Sequence, residues 1–162
     1  MDSQPRWIVT ADARRATLFA CRNVAGAGVQ VEQVRSLKNP HEDEHEHQRP
    51  ALLGGAERSG SPRSASSHAA PHSVAPGHEV EEERRRFARD VRDWLSDNVD
   101  SMGIRHVMLF APPRFLGLLR LHISDRDDRT DLVEGDIAQL SAEQLAVHPA
   151  VLAMLGQYTK SA

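Results

Sequence analysis

The chain has 162 residues and a formal charge of −3, with hydrophobic residues at 40% and aromatic residues at 4%. That length fits one domain, large enough to bury a core without disulfide or metal staples. The acidic balance speaks against a general nucleic-acid binder, the low aromatic content against a base-stacking platform, and a single cysteine, Cys21, excludes an intrachain disulfide.

The first third reads as strands. Residues 6–12 (Arg-Trp-Ile-Val-Thr-Ala-Asp) and 15–21 (Arg-Ala-Thr-Leu-Phe-Ala-Cys) are short β-rich runs. Only Ala13 and Arg14 part them, which predicts a tight hairpin. Asp12 stands where its side-chain oxygen can hold that turn. Cys21 lies in an apolar run and is expected to be a buried, inert thiol. After Gly26-Ala27-Gly28, residues 29–34 begin with the apolar/polar alternation of a half-buried strand. The three runs predict an antiparallel meander.

From 38 to 78 the pattern stops. This stretch holds His41, His45, His47, His68, His72 and His78, with Pro40, Pro50, Pro62, Pro71 and Pro76. Its only large apolar residues are Leu52, Leu53 and Val74, too few to offset the entropy of ordering. A long flexible His/Ser/Pro/Gly-rich loop is expected.

Glu79 to Val99 then reads as an amphipathic helix with Val80, Phe87, Val91, Trp94, Leu95 and Val99 as its buried stripe. Glu81 with Arg85 and Glu82 with Arg86 stand four apart in the favourable acid-first order. Gly103 marks the exit. Arg105 to Ala111 is an apolar strand expected in the sheet interior, and Pro112-Pro113 stops it. Pro113 opens a helix over 114–123, since its missing N–H costs nothing there. Residues 131–136 form a last strand. Ser141-Ala142-Glu143-Gln144 is a capping box starting a short helix, which Pro149 interrupts. The prediction is one α/β domain over 1–162, with a mixed sheet of about five strands and three helices in the order βββ-loop-αβαβα.

Three motifs carry a resemblance. They are residues 7–16 (Trp-Ile-Val-Thr-Ala-Asp-Ala-Arg-Arg-Ala), 87–91 (Phe-Ala-Arg-Asp-Val) and 111–120 (Ala-Pro-Pro-Arg-Phe-Leu-Gly-Leu-Leu-Arg). With the element order, they make the chain resemble the bacterial host-attachment protein family, associated with attachment of bacteria to host cells. The resemblance covers most of the chain outside 38–78. That family is in turn distantly similar to the middle domain of archaeal and eukaryotic peptide-chain release factors. The resemblance implies a ribonuclease-H-like, translation-factor-like fold. In those factors a loop carries Gly-Gly-Gln and promotes peptidyl-tRNA hydrolysis. Here the loop reads Gly54-Gly55-Ala56, without the glutamine, and that chemistry does not carry over.

The best site candidate is the crevice between the hairpin end and the helix start after Pro112. Asp12, Arg14, Arg15, Pro113, Arg114, Gly117 and Arg120 fall there. A helix N-terminus beside arginines suits a phosphate or carboxylate, and open α/β sheets bind ligands at strand ends. The plainer reading has Phe115 to Leu119 as core and the arginines as solvated surface. Arg84, Arg85, Arg86, Arg89 and Arg92 form a basic strip on the long helix, either interleaved with acids as a salt-bridged face or facing RNA.

His41-Glu42-Asp43-Glu44-His45 matches H-E-x-x-H, but zinc hydrolysis needs that motif on a packed helix. Following Pro40 and lacking an apolar face, it predicts no tight catalytic zinc; His41, His45 and His47 remain weak candidates for loose metal binding. Asp12 and Asp136 at strand ends, with Glu32, are the carboxylates a two-metal nuclease would use.

The favoured function is a non-catalytic binding domain without a cofactor, its partner open, with RNA or the ribosome as candidates. A metal-dependent ribonuclease-H-like nuclease or hydrolase and a factor acting directly in attachment to host cells are the alternatives. No run approaches the roughly 18 apolar residues of a membrane helix, and residues 1–6 do not resemble a secretory leader. No membrane partner and a cytoplasmic location are expected. A homo-oligomer stays open.

Overall fold

The computed structural model describes residues 4–41, 76–124 and 127–158. The elements are β1 (Arg6–Ala11), β2 (Arg15–Val24), β3 (Gly28–Lys38), α1 (Pro76–Ser101), β4 (Val107–Ala111), α2 (Pro113–Arg120), β5 (Thr130–Glu134), α3 (Ala142–Ala146) and α4 (Pro149–Tyr158). The five strands form one sheet in the order β3-β2-β1-β4-β5. β1, β2 and β3 pair antiparallel, while β4 and β5 join parallel to β1. This is the mixed five-stranded α/β architecture the sequence predicts, with β4 in the interior.

Alternation along each strand divides the core into two layers. Val9, Ala11, Leu18, Val107 and Leu109 face one way, against Phe87, Ala88, Val91 and Leu95 of α1 and Phe115, Leu116 and Leu119 of α2. Ile8, Phe19, Cys21 and Phe110 face the other way, against Ile137, Leu145, Val151, Met154 and Leu155. β1 and β4 are covered on both faces, which is why β4 runs apolar without a break and β1 does so but for Arg6 and the buried Thr10. Cys21 is fully buried, and burial pushes its thiol up to about 12.

Several boundaries differ from expectation for identifiable reasons. β3 runs on to Lys38 because a bulge absorbs the break in alternation: Leu18 pairs with Arg35 and Phe19 with Gln33, leaving Val34 extra. Val80 is 36% exposed rather than part of the buried stripe. A helix of 26 residues is about 39 Å long, against about 17–20 Å for strands of five or six, so its first turns overhang the sheet. The charge pairs there are Glu81–Arg84 at 4.0 Å and Glu82–Arg85 at 3.7 Å, spaced by three rather than four and exposed. They are worth about 0–1 kcal/mol each.

Gly103 ends α1 with φ +63, and Ile104 N–H returns to Val99 O at 2.9 Å. α2 stops at Arg120, three residues early, where Leu121 and His122 N–H turn back to the carbonyls of Leu118 and Leu119. The Ser141 capping box forms: Ser141 Oγ accepts from Gln144 N–H at 3.3 Å, and Gln144 Oε1 accepts from Ser141 N–H at 2.9 Å. Pro149 lies beyond the end of that helix and opens α4, so two helices follow β5 where the sequence predicts one. Residues 42–75, with His45, His47 and Gly54-Gly55-Ala56, lie outside the described residues.

Candidate functional site

β1, β4 and β5 run parallel, so their C-terminal ends deliver three connections to one edge of the sheet. These are the turn after Ala11, the Pro112-Pro113 junction, and Gly135-Asp136. Between them opens a cleft of about 820 Å³. The turn contributes Asp12, Ala13 and Arg14; α2 contributes Pro113, Arg114, Phe115 and Leu118; the overhang of α1 contributes Glu81 and Arg84; Asp136 closes the side.

Two features hold the turn. Asp12 Oδ1 accepts the N–H groups of Arg14 at 2.8 Å and Arg15 at 2.9 Å. Asn39, just past β3, donates its backbone N–H to Arg14 O at 2.8 Å and its side-chain Nδ2 to Ala13 O at 3.0 Å, while its Oδ1 accepts from His41 N–H at 3.1 Å. Asn39 is 5% exposed. Sequence reading missed it, since nothing local distinguishes an asparagine that bonds 26 residues back. Gly135 sits so close to β4 that an added Cβ would lie 3.3 Å from Phe110 Cδ1. Its N–H donates to Ala111 O at 2.9 Å, which brings Asp136 to the rim.

The α2 N-terminus faces this cleft without a side-chain cap. Pro112 is the N-cap residue and Pro113, at N1, has no N–H. The first-turn amides of Arg114 and Phe115 therefore supply the positive end of the helix. Among the described residues, charges in the cleft balance by type: Arg14, Arg84 and Arg114 against Asp12, Glu81 and Asp136.

The structure thus brings together Asp12, Arg14, Pro113 and Arg114. Arg15, Gly117 and Arg120 are exposed but do not line the cleft. Arg120 is in the last turn of α2, about 9 Å along the axis from Arg114 and on a different face. Asp136 does line it, whereas Glu32, on β3, lines a separate groove against α3. Among the described residues no group of three or more His, Cys, Asp or Glu is placed to hold a metal. On the α1 strip Arg92 pairs with Asp93 at 2.7 Å. Desolvation first, and then the nearby guanidinium groups of Arg92 and Arg89, push His122 below the usual histidine range.

Fold and cleft define an α/β domain whose candidate ligand surface gathers at the carboxyl ends of its parallel strands. The chain belongs to the family described as "protein required for attachment to host cells", whose sequence model matches residues 7–148. No curated protein matches it. Among solved structures it is similar to an archaeal translation termination factor, at 12% identity and a TM-score of 0.39, over 97% of this chain and 38% of that one. No helix among the described residues is long and apolar enough to cross a membrane.

Proposed function

We propose that the chain is a non-catalytic binding domain that takes the phosphate backbone of an RNA in the cleft at the ends of β1, β4 and β5. The observation that carries this reading is the uncapped N-terminus of α2, with Arg114 in its first turn and Arg14 and Arg84 across the cleft. Amide donors and a helix dipole favour a phosphate, and guanidinium groups hold one bidentately. The three acids lower the pull on anions in general, so the favoured seat is against the helix end and the arginines rather than beside the carboxylates. Asp12 spends one carboxylate oxygen on the turn, which favours binding over two-metal hydrolysis. On this reading the protein works in the cytoplasm, and the attachment in the family's description follows indirectly from RNA binding.

The test is fluorescence anisotropy with a labelled mixed-sequence RNA of 20 nucleotides. Arg84→Ala/Arg114→Ala should weaken binding at least tenfold and reduce the slope of log K against log salt by about one per lost contact. Arg120→Ala should change little. Equal binding by the double variant and the wild type would refute the cleft reading. RNA cleavage dependent on Mg²⁺ or Mn²⁺ and abolished by Asp136→Asn would make the protein a nuclease instead.

A further inference from the structure

At the opposite end of the parallel strands, where β1 and β4 begin, lies a second cavity of about 450 Å³. Strand length sets it about 15–20 Å from the cleft. Trp7, Met102, Met108 and Met154 line it. These are three of the four methionines and one of the two tryptophans in the whole chain. They arrive from four separate places: β1, the turn after α1, β4 and α4.

Its charges are as one-sided as its apolar lining is soft. Among the described residues Arg6, Arg105 and His106 line the cavity and no acid does, in a chain with 23 acidic residues. The cleft at the other end has an acid for every arginine. Asp131, across from β4, is held by His106 at 2.9 Å. Arg105 is exposed and forms no ion pair among the described residues.

Each half selects a different part of a ligand. Thioethers are polarisable, adapt their shape and favour contact with aromatic rings, and an indole offers a flat apolar face. A guanidinium meets a carboxylate in a forked pair of charge-assisted hydrogen bonds. The volume falls within the roughly 300–1,000 Å³ of small-molecule sites. We propose that this cavity binds a small aromatic acid, its ring against Trp7 and the three methionines and its carboxylate on Arg105. This site is independent of the RNA-binding reading of the cleft.

The test uses 2-naphthoate and its neutral amide, followed by the methyl resonances of protein labelled with ¹³C at methionine. The acid should bind saturably, one per chain, and move the signals of Met102, Met108 and Met154 together. The amide should bind at least tenfold more weakly. Arg105→Gln, at an exposed position that spares the core, should bring acid and amide to similar affinity. Failure of the acid to saturate at millimolar concentration, equal binding of acid and amide by the wild type, or shifts that bypass these three methionines would overturn the proposal.

Discussion

Phe87→Ala is expected to destabilise the domain by about 3–5 kcal/mol, the usual cost of truncating a large buried ring. Phe87 is 1% exposed and lies at the centre of the layer formed by α1, α2 and the sheet. Its ring stacks on Phe115 with centroids 5.9 Å apart and an interplanar angle of 29°. A domain of this kind holds about 5–15 kcal/mol in all, so urea denaturation should show a midpoint lowered by a large fraction of its wild-type value. Trp94→Ala, at a half-buried position on the same helix, should cost less. A loss below about 1 kcal/mol for Phe87→Ala would mean that α1 does not seat on the sheet through this ring. The cleft depends on that seating, because the overhanging turns of α1 bring Glu81 and Arg84 to its wall.

Asn39→Ala should cost about 2 kcal/mol, since it strands the Ala13 carbonyl and the His41 amide beside a buried position. Asn39→Asp separates the two bonds. It retains an acceptor for His41 N–H but puts a carboxylate oxygen against Ala13 O, so it should be no better than alanine. Asp12→Ala, on the exposed side of the same turn, should cost about 1 kcal/mol. Denaturant unfolding measures all three, and hydrogen exchange at the Arg14 and Arg15 amides reports whether the turn has loosened. If Asn39→Ala unfolded at the same denaturant concentration as wild type, Asn39 would not be what holds the turn.

The sequence disclosed what depends on local periodicity. Residues 107–111 are apolar without interruption and 7–11 are interrupted only by Thr10, as suits strands covered on both faces, and they occupy neighbouring interior positions in the sheet. The spacing of Phe87, Val91, Leu95 and Val99 fixed the inward face of α1, and Ser141 with Gln144 fixed the start of α3. Errors fell where three-dimensional circumstance overrides pattern. Val80 obeys the helical period but has no sheet beneath it. The second half of β3 loses its alternation at Val34, and only the pairing with β2 reveals why. Two sides of the cleft could be read from nearby motifs, the Asp12–Arg15 turn and the Pro113–Arg114 helix start. Arg84, Asp136 and Asn39 reach it through contacts far apart in sequence, and no single segment announces them. Arg120 was placed there through sequence proximity to Arg114, which a helix turns into distance.

The bulge at Val34 bears on how the molecule meets copies of itself. β3 is an outermost strand of the sheet and, at 11 residues, the longest of the five. A long flat border of that kind offers a template on which identical chains stack into fibrils. Here the backbone shifts phase at its midpoint. An incoming strand in register with Val29 and Val31 is out of register with Arg35 and Leu37. One surplus residue thus makes this long border strand a poorer template for an added strand than its length alone suggests.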